Sequence, residues 1–99
     1  MEKLSFSYQT NQKIHQPIHI GVVASGDLEI IMRPIDGTET TVLVTTGSDG
    51  FQEVWQNVLD RFFQRYPVSA AIKINDFGAT PGVVNLRLTQ ALEVLNHEK

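Results

Sequence analysis

One stretch of this chain departs from the apolar pattern of the rest. Phe51, Val54, Trp55, Val58, Leu59, Phe62 and Tyr66 recur at intervals of three and four, the spacing that lines up one face of a helix. Ser48 or Asp49 is placed to cap its start, and Pro67 ends it. A stripe with this many large side chains needs an equally large apolar surface to cover it, and the flanking segments can supply one only as a sheet. "LSFSY" alternates Leu4, Phe6 and Tyr8 with serines, as a half-buried strand does. "PIHIGVVA" and "LEIIMR" look like the two arms of a hairpin, with Leu28, Ile30 and Met32 on one face of the second and Glu29, Ile31 and Arg33 on the other. "RPIDGT" contains an Asp-Gly hairpin-turn signal and leads into "TETTVLVTT", a third long strand dense in β-branched residues. "SAAIKIND" returns to alternation after the helix.

The last segment, "ATPGVVNLRLTQALEVLNHEK", carries two patterns. Val84, Leu86 and Leu88 alternate like a strand, whereas Val84, Leu88, Ala91, Leu92 and Leu95 form a helical stripe. The stripe lasts over more turns, and Thr80 followed by Pro81 makes a helix start, so a helix is expected. The order is then β-β-β-β-α-β-α: an α+β domain over residues 1–99 with a single mixed sheet and two helices packed on one face.

Composition narrows the function classes. No apolar run approaches the roughly 20 residues that span a bilayer. "MEKLSFSYQT" lacks the apolar region and cleavage site of a signal peptide, so a cytoplasmic location and no membrane partner are expected. The net charge is -3, and the 8 basic residues are scattered rather than gathered into a patch, which argues against nucleic acid as a partner. There is no cysteine. Disulfides and thiolate nucleophiles are thereby ruled out, and any thiol chemistry has to come from an added group.

Most candidate sites reduce to structure. His15 and His19 flank Pro17 in an extended run, about 13 Å apart, too far to share a metal ion. A triad of Ser25, His19 and Asp27 fails because Asp27 follows Ser25 too closely to orient the histidine. "DFG" at 76–78 has none of the other kinase signatures around it, and "GATPG" lacks the lysine of a phosphate-binding loop. It reads as a turn and cap that also offers a weak anion site. Trp55 and its aromatic neighbours belong to the core; Glu29, Glu53, Glu93 and Asp60 lie on polar faces and read as solvated.

Ser25, Gly26 and Asp27, between the two arms of the first hairpin, allow two readings. In one they are only a turn, with Gly26 at positive φ, Asp27 completing it and Ser25 a tolerated neighbour. In the other, the serine beside a glycine exposes a hydroxyl that a modifying enzyme reaches, and a group attached there swings freely.

"GVVASGDLEI" together with "INDFGATPGVVNLRL" resembles the acyl carrier subunit (delta subunit) of malonate decarboxylase, along essentially the whole chain. The Ser-Gly-Asp core is shared with the related carrier subunit of citrate lyase, which is the nearest alternative; the second block is the more specific. The resemblance implies that Ser25 carries a phosphodiester-linked 2'-(5''-phosphoribosyl)-3'-dephospho-CoA, with Gly26 and Asp27 as supporting loop residues. An acetyl thioester on that arm would exchange with malonate, releasing acetate, and a decarboxylase component would then release carbon dioxide. The chain itself would be non-catalytic, with the acyltransferase and decarboxylase subunits and the transferase that loads the arm as partners. Asp27 is assigned to docking that transferase. The four-helix carrier fold, which places its serine as Asp-Ser-Leu at a helix start, is excluded by Ala24 and Gly26 around Ser25. Readings from other classes are an unmodified α+β interaction domain and a small hydrolase, the latter without a credible base for Ser25.

Overall fold

Each alternating run becomes a strand, and the stripe of aromatic residues becomes the helix that covers them. A computed structural model describes residues 2–21, 28–47, 49–79 and 81–97, with side chains described for all of these but 81 and 94–97. In chain order the elements are β1 (Glu2–Gln9), β2 (Gln12–Lys13), β3 (Ile18–Gly21), β4 (Leu28–Pro34), β5 (Glu39–Thr46), α1 (Gln52–Arg65), β6 (Val68–Asp76) and α2 (Pro81–His97). The sheet has six strands in the order β1-β5-β6-β4-β3, with the short β2 beside the start of β6. The expected α+β class, single mixed sheet and two helices are therefore observed; the two-residue β2 is an addition. Among the described residues no helix is long and apolar enough to cross a membrane.

β3 and β4 pair antiparallel as the expected hairpin. The Asp-Gly turn after β4 does not make a second one. β6 inserts between β4 and β5, antiparallel to the former and parallel to the latter. Residues 35–38 therefore cross an end of the sheet. An Asp-Gly pair specifies how the chain bends, not which strand it returns to. The parallel pairing of β5 and β6 demands a crossover, which α1 provides.

Even-numbered strand positions face the helices. Leu28, Ile30, Met32, Val42, Val44 and Ile74 are fully or almost fully buried there, against Leu59 of α1 and Leu88 of α2. α1 is rotated relative to the expected stripe. Trp55, Leu59, Phe62 and Phe63 are its buried residues, whereas Phe51 and Val54 are exposed. Phe51 itself occupies the N-cap position, with no side-chain cap hydrogen bond; Ser48 lies outside the described residues, and Asp49 is not the cap. Phe63 earns its burial by stacking on Tyr8 of β1, ring centroids 4.4 Å apart. The Tyr8 hydroxyl donates to Asp60 at 2.7 Å, and Gln56 donates to both. Partial burial, and then Asp60, push the Tyr8 phenol well above the ordinary tyrosine range. Asp60 is thus a tie between α1 and β1 rather than a solvated charge.

α2 is helical, as its longer stripe requires: Val84, Leu88, Ala91 and Leu92 are buried and Leu86 is exposed. Thr80 and the Leu95 side chain lie outside the described residues. At the opposite end of β6, Thr10, Thr40 and Ser69 close a buried hydroxyl network. Thr40 donates to the Val68 carbonyl and accepts from the Ala70 amide, and Thr10 is 2.7 Å from Ser69 and 3.0 Å from Thr40. Every hydroxyl in it has a partner, which removes the desolvation cost of burying it.

Candidate functional site

Ser25, Gly26 and Asp27 all lie outside the described residues, so the site is defined by what frames it. The frame begins with Gly21, the last residue of β3, which pairs with Glu29 of β4. Its φ is 97°, and a Cβ placed there would run into the Leu28 carbonyl oxygen. Only glycine fits both the left-handed backbone and that close approach. The positive φ expected at Gly26 falls outside the described residues; the readable signal for Gly21 was a glycine interrupting the β-branched "HIGVV".

The strand ends line up behind the hairpin tip. Leu28 pairs with Asp76, Asp76 with Thr46, and Thr46 with Glu2, so β4, β6, β5 and β1 all reach the same edge. Asp76 organises it. One buried carboxylate oxygen accepts the Thr46 hydroxyl at 2.8 Å, and the other accepts the backbone N–H groups of Gly78 and Ala79 at 3.0 and 2.8 Å. Gly78 has φ 104°. "DFG" is thus a tight turn fastened to β5, which explains why those residue types stand together without kinase chemistry. The turn leads to α2 and leaves Phe77 exposed; Phe51, at the start of α1, is exposed at the same end of the sheet.

On the sheet face away from the helices, Glu29 is not simply solvated. Asn75 donates to one of its oxygens at 2.9 Å and His19 lies 2.7 Å from the other. Chiefly the Asn75 hydrogen bond, then that of His19, holds the Glu29 carboxyl below its ordinary range. His19 is therefore partnered by Glu29 across the β3–β4 pair. His15 lies in the bend before β3, and Glu53 and Glu93 are exposed. Among the described residues no cluster of three or more His, Cys, Asp or Glu side chains is arranged to hold a metal.

Further along this face, Arg33 of β4 and Lys73 of β6 border an open groove of about 280 Å³ that Ile31, Leu43 and Ala71 also line. Sequence reasoning placed Ile31 and Arg33 on this face but attached no role to them. The signal was there: an isoleucine and a leucine on the polar side of their strands.

Comparison with known proteins gives the family. Residues 15–95 match the model of the acyl carrier protein family described as malonate decarboxylase delta subunit (MdcD). The malonate decarboxylase acyl carrier protein of Acinetobacter calcoaceticus is 46% identical over 104 aligned residues, covering 99% of this chain and all of that one. That of Stutzerimonas stutzeri (strain A1501) is 41% identical over 99 residues, again covering 99% of this chain and all of the other. A chain in the crystal structure of a Pseudomonas malonate decarboxylase hetero-tetramer in complex with malonate superposes with a TM-score of 0.90 at 40% identity, over 96% of this chain and 99% of that one. Of the two related carrier families that the motifs resemble, the match is to the one that acts on malonate. The chain belongs to the malonate decarboxylase acyl carrier protein family.

Proposed function

We propose that this chain is the acyl carrier subunit of a cytoplasmic malonate decarboxylase, loaded at Ser25 with a phosphodiester-linked 2'-(5''-phosphoribosyl)-3'-dephospho-CoA. When bound, that group supplies the thiol that the chain, with no cysteine, does not contain. The frame around the hairpin tip carries this reading. Two paired strands hold the ends of the six-residue segment 22–27, and Gly21 fixes the turn into it. The chain's own part is positional: a braced hairpin keeps the attachment point at one edge of the domain and raises the local concentration of the carried group near a docked partner. Bond-breaking is left to the partner subunits; His19 on the hairpin ties β3 to β4 through Glu29. Gly26 gives a transferase room beside the hydroxyl, and Asp27 helps that transferase dock. The acyltransferase and decarboxylase subunits are the partners served, in line with the hetero-tetramer in which the structural relative is found.

Intact-mass measurement of protein from its native host tests this. A mass increment equal to the phosphoribosyl-dephospho-CoA group is expected, absent in Ser25→Ala. Unmodified protein from cells that contain the loading enzyme and grow on malonate would overturn the reading, as would an adduct that persists in Ser25→Ala.

A further inference from the structure

The sheet has one covered face and one bare one. Both helices pack on the even-numbered positions, and the odd-numbered positions, the buried Ser69 apart, lie on the opposite face. Near the β1 edge the bare face is ordinary, with Ser5 and Ser7 in register with Leu43 and Thr41. Its centre is different. Leu43 keeps 53% of its surface exposed, and in register it stands beside Lys73, which stands beside Ile31. One step along the same strands, Arg33 stands beside Ala71. Cationic and apolar side chains thus alternate around a shallow groove of about 280 Å³, in a chain whose net charge is -3. Among the described residues neither Arg33 nor Lys73 is in direct ion-pair contact, and Lys73 acts on Glu29 only through space, as the smallest cause of its lowered carboxyl.

We propose that this groove is the resting place of the carrier's own prosthetic arm; the proposal rests on the reading that Ser25 bears a phosphoribosyl-dephospho-CoA. The match is one of charge and of order along the group. The arm alternates anionic phosphates with uncharged ribose, adenine and pantetheine segments. Arg33 and Lys73 take phosphate oxygens, Arg33 through a planar fork and Lys73 as a point charge, while Leu43 and Ile31 cover an uncharged segment. The reach is adequate. From Ser25 to Ile31 is at most about 20 Å of extended chain, within the extended length of the whole arm. Two carboxylates share the face. Glu39 is at its far end, and Glu29, nearest the tip, already has both oxygens engaged by Asn75 and His19. Docking there would keep the arm at the surface of the domain until a partner draws it off.

The test compares amide NMR spectra of unloaded protein and of protein whose full loading is established by intact mass. Loading is expected to shift the amides of Ile31–Arg33, Leu43 and Ala71–Lys73 as well as those of the hairpin. The shifts on the bare face are expected to shrink as salt is raised, and to vanish in the double variant Arg33→Ser, Lys73→Ser at an unchanged mass increment. Both side chains are exposed, and the variant's remaining spectrum reports its fold. Free dephospho-coenzyme A added to unloaded protein is expected to move the same amides, more weakly. Shifts confined to the hairpin in fully loaded protein would overturn the proposal, as would shifts that survive in the double variant. So would a bare face that responds only when partner subunits are added, equally with or without the arm; that face would then belong to a protein partner. Absence of any added mass in protein from its native host refutes the carrier reading itself, and is seen before any spectrum is compared.

Discussion

Asp76 shows how much one side chain can organise. Its carboxylate accepts one hydroxyl and two backbone N–H groups within 3.0 Å, so its loss removes the acceptor of three hydrogen bonds. Asp76→Ala is expected to cost about 2–4 kcal/mol, read as a lower urea midpoint, with Asp76→Asn losing less because the amide oxygen still accepts. Glu29 gives a pH signature. Its carboxyl is held below the ordinary range by Asn75 first and His19 second, so folding favours the ionised form. That contribution is fully present above the ordinary carboxylate range and is lost as pH falls through the lowered value. Glu29→Gln is therefore expected to flatten the acid side of the stability profile below about pH 4.5, checked by urea midpoints across that range. A profile as steep as the parent's would assign the acid sensitivity elsewhere.

The elements were the most legible part of the sequence, and the failures among them have physical causes. The alternation of Leu28, Ile30 and Met32 identified the buried face of β4 correctly because it has no competing pattern. The α1 stripe was right in kind and turned in detail. Phe51 and Val54 fit the helical spacing, yet the helix leaves both exposed and buries Phe63, whose partner Tyr8 lies 55 positions earlier in the chain. No local rule contains that contact. The same holds for β6 entering between β4 and β5, and for Glu29 and Asp60, whose partners Asn75 and Tyr8 come from distant strands. Leu59 is fully buried at the centre of α1, so Leu59→Ala is expected to cost about 2–5 kcal/mol through lost contacts and a residual cavity. Chemical denaturation measures it; a loss under 1 kcal/mol would show that α1 is less tightly seated than its burial indicates.

At the scale of the molecule, the candidate site was legible as a motif rather than as geometry. "GVVASGDLEI" pointed to Ser25 through resemblance, while Gly21, Asp76 and the groove between Arg33 and Lys73 became visible only once the strands were in register. The layout of strand ends has a practical consequence. Glu2 pairs with Thr46 at the edge that also holds the hairpin tip. α2 starts at that edge, and its 17 residues carry the backbone about 25 Å onward. With loading at Ser25 as proposed, a purification handle or dye fused ahead of Glu2 would therefore crowd the loading enzyme and any subunit that receives the cargo, whereas one joined beyond His97 would stand clear. Matched fusions at the two ends should load at visibly different rates, the amino-terminal one more slowly.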